Sequence, residues 1–187
     1  MESPRLAGIR GASDAFRVSG DATKYGDYCM QEEAVPMRSF REGGSEDCLY
    51  LNVFMPEEAQ NLTGLPCGSE VDVGMVWIHG GAYESGKSDL YDPSNITELL
   101  RSKGLPAILV TINYRLNVFG FLGSGSLATR DATGSTGNYG IQDQRMALQW
   151  VQNNIAAFGG DPQKASQRGD DFRAVGRGWK RGQAANG

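Results

Sequence analysis

The residues whose types and spacing could do chemistry lie together at His79-Gly80-Gly81-Ala82, within G-M-V-W-I-H-G-G-A-Y-E-S-G, Gly74 to Gly86. The run Met75-Val76-Trp77-Ile78 has the length and side-chain type of a buried strand. Beyond it side chains vanish, as they do where a backbone turns sharply and something approaches it closely. Amide N–H groups at the end of such a strand point into open space and can hold a developing negative charge. The plain alternative is a glycine-rich turn after a core strand, and H-G-G alone does not separate the two. Catalysis by a serine at such a turn also needs a base. The chain has one histidine, His79, and no G-x-S-x-G. Its sequence holds no metal-ligand cluster, phosphate loop or paired acid–base group, so neither a metal nor a cofactor is expected.

The elements that must position this turn read as an α/β fold. Leu49 to Met55, stopped by Pro56, is a strand. Residues 57–73 are polar and connect it to the strand before the turn. Residues 84–95 are loop, and Ser94 or Asn95 can cap a short helix over Ile96 to Lys103, ended by Gly104. Ala107 to Ile112 is a continuous apolar strand of the kind buried on both faces of a parallel sheet. It runs into N-Y-R-L-N-V-F-G-F-L, residues 113–122, and then a flexible Gly- and Ser-rich segment over 123–137. Asn138 to Gly160 holds the best helix, with Met146, Trp150, Val151 and Ile155 on one side and Gly159, Gly160 and Pro162 as its stop. Strand, helix, strand, helix is the rhythm of an α/β layer structure.

Composition narrows the classes. A chain of 187 residues suggests one domain, and its net charge of −4 argues against nucleic acid as the main partner. No apolar run approaches the roughly eighteen residues of a membrane span. The first residues lack the apolar core of a signal peptide. Three cysteines, Cys29, Cys48 and Cys67, taken with that N-terminus favour reduced thiols. Two glycosylation sequons, at Asn61 and Asn95, pull toward a secreted chain. The sequence does not specify an oligomeric state.

Both ends differ from the middle. Residues 1–28 scatter Gly, Ser, Asp and Arg without period and read as poorly ordered loop with at most one short strand. After Lys164 the composition changes: residues 164–187 carry six positive and two negative charges and five glycines, with no hydrophobic period. Such a segment cannot bury enough apolar surface to offset chain entropy, so 163–187 is expected to be disordered.

Four motifs stand in order: S-E-D-C-L-Y-L-N-V (45–53), W-I-H-G-G-A-Y-E-S-G (77–86), N-Y-R-L-N-V-F-G-F-L (113–122) and G-N-Y-G-I-Q-D-Q-R-M-A-L-Q-W-V-Q-N-N-I-A-A-F-G-G-D-P (137–162). Together they resemble the type-B carboxylesterases, the family that includes cholinesterases and many esterases and lipases. The resemblance implies a partial α/β-hydrolase fold over residues 29–162, an incomplete mixed sheet with flanking helices. It further implies hydrolysis of small-molecule carboxylic esters by a Ser-Glu/Asp-His triad. It places oxyanion-hole donors at the amides of Gly81 and Ala82, where losing one donor typically costs about 10²–10³ in rate. His79 falls in the structural part of the motif and is expected to steady the turn. Cys48 matches a cysteine that such proteins pair with one about twenty residues upstream, so a Cys29–Cys48 disulfide and a secreted full-length protein are implied, with Cys67 left over. Asp143 and Arg145 match a family signature and read as a structural ion pair.

The pattern also breaks. The family's early F-x-G-I-P-Y-A-like run is absent. After G-G-D-P the family continues to its serine elbow, whereas this chain reads Q-K-A-S-Q-R-G-D-D. Codons exist for Asp170 to Trp179 that, read one base later, spell T-T-F-G-Q-S-A-G-G, a serine elbow. The expectation is therefore that residues from about 165 onward are out of frame, and that this chain by itself is an inactive N-terminal fragment of an esterase. The alternative is a non-catalytic, cholinesterase-like binding domain.

Overall fold

The computed structural model describes residues 6–10, 24–31, 44–56, 71–132, 134, 136–162 and 167–169. Asn61, Cys67 and most of the N-terminal segment lie outside these residues. The strands are β1 (Leu6–Arg10), β2 (Tyr50–Phe54), β3 (Val71–Ile78), β4 (Ala107–Ile112), β5 (Gly160–Asp161) and β6 (Gln167–Gly169). The helices are α1 (Ser94–Ser102), α2 (Asn117–Phe121), α3 (Gly125–Ala128) and α4 (Tyr139–Asn154), with 3-10 turns at Ser88–Leu90 and Ile155–Phe158.

All belong to one mixed sheet ordered β1-β2-β4-β3, with β5 and β6 both on the far side of β3. β1 and β2 run antiparallel to each other, as do β2 and β4, while β3 is parallel to β4, β5 and β6. β4 sits between two partners with every residue buried, which is why it is apolar without alternation. Ile78 pairs with Ile112, so the two parallel strands end level. Their following segments, 79–86 and 113–117, therefore emerge side by side at the carboxyl edge of the sheet, where ligands bind in open α/β sheets.

One side of the sheet carries the main core. Val53, Val76, Ile78, Ile108, Val110 and Ile112 pack with Val151 of α4 and with Ile155 and Phe158 of the turn that follows it. Successive side chains of a strand point to opposite faces, which sends the intervening residues of β2 and β3, Asn52, Met75 and Trp77, to the other side.

Several sequence expectations are corrected here. α1 begins at Ser94, and the carboxylate that closes its first turn belongs to Asp92, whose Oδ1 accepts from the Ser94 amide at 2.8 Å. Pro93 precedes the helix with φ already fixed near helical values. The segment read as flexible over 123–137 contains α3, capped by the Ser124 hydroxyl accepting from the Leu127 amide. Of the tail expected to be disordered, residues 163–166 and 170–187 lie outside the described residues, and Gln167–Gly169 form β6 beside Val76–Ile78. The edge of β3 that β4 leaves free carries backbone groups to be paired, and pairing there does not depend on side-chain type.

Candidate functional site

β3 delivers the turn. His79 is buried, stacked on the Tyr114 ring at 4.4 Å, with its Nδ1 2.9 Å from the Gly80 carbonyl. The Tyr114 hydroxyl donates to the His79 carbonyl at 2.7 Å. A histidine held this way steadies the turn and is not presented to solvent as a base.

Gly81 has φ +124°, and a Cβ there would meet the Ser85 carbonyl oxygen at 1.8 Å, so only glycine fits. Ala82 and Tyr83 follow at φ 55° and 63°, two consecutive side-chain-bearing residues in the left-handed region. Each costs about 1–2 kcal/mol there. The surroundings offset that cost. The Asn117 amide donates to the Tyr83 carbonyl at 2.9 Å, and its side chain donates to the Glu84 carbonyl at 2.7 Å. Tyr83 packs between the rings of Tyr114 and Phe121. Backbone strain maintained by several independent contacts is characteristic of sites that need a fixed geometry.

The Gly81 carbonyl is used, accepting from the amides of Glu84 and Ser85. The amides of Gly81 and Ala82 are not: both residues are exposed, and neither amide has a hydrogen-bond partner among the described residues. Two adjacent amides, unpaired among the described residues, thus belong to exposed residues at the carboxyl edge of the sheet.

Downstream, the turn is clamped. The Gln31 side chain accepts from the Gly86 amide at 2.8 Å and donates to the Gly86 carbonyl at 2.9 Å. Two residues on, the Ser88 amide donates to Asn113 Oδ1, and the Ser88 hydroxyl accepts from Asn52. Asn52 also donates to Thr111 Oγ1, so buried polar groups from β2 and β4 are satisfied by holding this loop.

The segment after β4 is fixed from α4. Arg115 donates to Asp143 through Nε at 2.7 Å and Nη2 at 2.6 Å, and its backbone amide donates to the same carboxylate at 3.0 Å. The Asp143 carboxylate raises the Arg115 pKa above its ordinary value, against the opposing effect of burial. The expected Asp143–Arg145 pair is therefore corrected: Arg145 is exposed, and residues two apart on a helix do not face each other. The Cys29–Cys48 disulfide is present, both cysteines buried, with Cα atoms 4.8 Å apart. Asn95 is exposed on α1. Among the described residues no group of histidine, cysteine and carboxylate side chains could hold a metal ion. No helix among them is long and apolar enough to cross a membrane.

Gln31 and Asn117 were not found from the sequence. Asn117 carried a faint signal, a polar residue soon after a continuously apolar strand. Gln31 carried none, because it meets Gly86 across 55 residues.

The strand order and the turn at the carboxyl edge of β3 are those of an α/β-hydrolase. Residues 12–170 match the carboxylesterase family model, and the chain belongs to that family. It is 36% identical over 162 residues to fumonisin B1 esterase of Sphingopyxis macrogoltabida, covering 86% of this chain and 27% of that protein. It is 41% identical over 131 residues to the neuroligin-like protein glit-1 of Caenorhabditis elegans, covering 70% of this chain and 15% of that one. The solved structure of a thermophilic PNB esterase superposes with a TM-score of 0.63 at 40% identity, covering 80% of this chain and 28% of the other. The chain thus spans about a quarter of the length of the esterase relatives it matches.

Proposed function

We propose that these residues form the oxyanion-stabilising part of a serine carboxylesterase acting on small-molecule carboxylic esters, with Gly81 and Ala82 as the donors. The observation that carries this reading is the pair of amides without a hydrogen-bond partner among the described residues, in a turn whose left-handed residues are pinned by Asn117. As an ester carbonyl becomes tetrahedral, its oxygen gains charge, and two preorganised N–H groups stabilise that charge without reorganising. The serine and the base come from outside the 187 residues in their present frame, since the chain has no G-x-S-x-G and His79 is stacked in the interior. In the shifted frame the elbow string starts at codon 170, directly after the three codons whose present-frame residues, Gln167–Gly169, lie opposite Val76–Ile78, the last residues before the turn. That spacing supports a serine arriving beside the donors.

A second reading rests on the neuroligin-like relative, which matches this region about as well as the esterase does. On that reading this chain belongs to a binding domain with the same turn and no triad. Secretion and glycosylation at Asn61 and Asn95 would accompany either reading.

The deciding experiment is to sequence the transcript across the codons for Asp161 to Gly187 and beyond, and to assay the purified 187-residue chain on p-nitrophenyl butyrate. The expected result is a serine elbow in the shifted frame and hydrolysis by the present chain no faster than buffer. A transcript that keeps the present frame without a serine elbow would leave the binding-domain reading. Turnover by the 187-residue chain that a serine-directed phosphonate abolishes would sink the assignment of the serine to outside residues.

A further inference from the structure

The turn is held at its far end by a segment that is itself held by a disulfide. Gly86 has φ +125°, and a Cβ there would meet the His79 ring at 2.3 Å and the Gly80 carbonyl at 2.5 Å. The end of the turn therefore lies against its beginning, and where Gly86 sits decides how the 80–86 segment closes. Both backbone polar groups of Gly86 are bonded to one side chain, Gln31. The same Gln31 Nε2 also donates to the Cys29 carbonyl at 3.1 Å.

The segment over 24–31 forms no strand in the sheet, although Gly26 lies against the Tyr50 ring and the Tyr25 hydroxyl is buried. Cys29 and Ser45 make an isolated bridge, Asn113 donates to the Asp27 carbonyl at 3.2 Å, and Lys87 Nζ lies 5.1 Å from the Tyr28 ring centre. Its one covalent tie is the Cys29–Cys48 bond, which fastens it two residues before β2 begins at Tyr50. A short segment with few buried backbone bonds opens locally at low cost unless it is cross-linked.

We propose that Gln31 is a positioning residue that couples the Cys29–Cys48 disulfide to the anion-holding turn, so that reducing the disulfide releases Gly86 and loosens the 81–86 segment. The importance of this coupling for ester chemistry rests on the function proposed above; the coupling itself does not. Reduction by a dithiol breaks the S–S bond, gives Cys29 and Cys48 one proton and one electron each, and leaves the reductant as a cyclic disulfide. Cys29 is then free to move away from Cys48, and Gln31, two residues along, moves with it. Loss of the Gly86 contacts removes the brace opposite Asn117 and lets the left-handed pair Ala82–Tyr83 relax.

The test needs no substrate, so its failure is separable from failure of the esterase reading. Amide hydrogen exchange is followed for Gly86 and for Leu109–Ile112 of β4 in the full 187-residue chain, with and without dithiothreitol. The same is done for Gln31→Ala and Gln31→Glu. The glutamate variant still accepts from the Gly86 amide but cannot donate to the Gly86 and Cys29 carbonyls. Reduction is expected to speed Gly86 exchange at least about tenfold while β4 keeps its protection. Gln31→Ala should speed it comparably in the oxidised chain, and reduction should add less than about twofold in that variant, the non-additivity that marks a shared route. Gln31→Glu should fall between. Three results would overturn the coupling: Gly86 protection unchanged on reduction, reduction acting as strongly in Gln31→Ala as in the native chain, or β4 amides accelerating in step with Gly86.

Discussion

The two faces of the sheet are built differently. On the face toward α4, Val76, Ile78, Val110 and Ile112 are each no more than 2% exposed, and Ile155 completes the layer. On the opposite face, Met75, Trp77 and Leu109 line an open cavity of about 180 Å³ against Tyr91, Pro93 and Ile96. The Trp77 ring leans on Tyr91 at 5.1 Å, and its shielded indole N–H has no hydrogen-bond partner among the described residues. That face is not uniformly apolar. Asn52 and Thr111 lie on it, and the Asn52 amide donates both to Thr111 Oγ1 and to the Ser88 hydroxyl, just past the turn. The difference separates two tasks. The closed face supplies most of the packing energy, while the open face supplies the polar anchors that set where the candidate site's loop ends.

The comparison is broken most directly by truncating one residue on each face. Ile112→Ala removes a fully buried side chain between close-packed neighbours and should cost about 2–5 kcal/mol. Met75→Ala borders a cavity that already exists and should cost about 1 kcal/mol or less, because fewer contacts are lost. Urea unfolding of the two variants gives the ratio. Equal losses would show that the open face packs as tightly as the closed one, contrary to the cavity.

The next effect sharpens how the closed face reaches the site. Asp143 is 1% exposed through its side chain and takes three hydrogen bonds from Arg115, which is 34% exposed. Asp143→Asn keeps the shape but removes the charge and places an amide donor against the guanidinium. The expected loss is roughly 2 kcal/mol, below that of a fully enclosed pair because Arg115 retains contact with water. Since Arg115 lies between Tyr114 and Asn117, the His79–Tyr114 stacking should loosen as well. Near-ultraviolet circular dichroism would register that change, and an unaltered spectrum would confine Asp143 to stability alone.

What the sequence made legible follows the same division. Ala107 to Ile112 could be placed to the residue because a strand with partners on both sides and every residue buried is apolar almost throughout, Thr111 alone excepted. The strand before the turn was recognised only over Met75–Ile78, since Val71-Asp72-Val73-Gly74 mixes polar and small residues; its observed start at Val71 comes from pairing with β4 and β5. The turn itself was legible, because glycine leaves a mark wherever a Cβ would collide. Its supports were not. Gln31, Asn117 and Arg115 act through contacts made after the chain has folded, and nothing local in sequence distinguishes a glutamine that clamps a backbone from one in solvent. Asp143 was noticed but given the wrong partner, because Arg145 was near in sequence and Arg115 near in space.

The smallest expected effect tests the open side by pH. Burial pushes the Tyr25 phenol up to about 12, with the nearby carboxylates of Asp92 and Asp89 adding to the rise. An unfolded chain releases this proton near pH 10. Between pH 10 and about 12 the folded chain therefore holds a proton that the unfolded chain has lost, and stability falls as pH rises through that window. Below pH 10 both states are protonated, and the contribution is fully present. Tyr25→Phe cannot titrate, so the stability difference between native chain and variant should stay flat up to pH 10 and shrink above it. Other tyrosines and lysines titrate in the same range, and taking the difference cancels them. A difference that stays flat to pH 12 would mean that Tyr25 meets water as freely in the folded chain as in the unfolded one, and that the open face extends past Asp92 to include it.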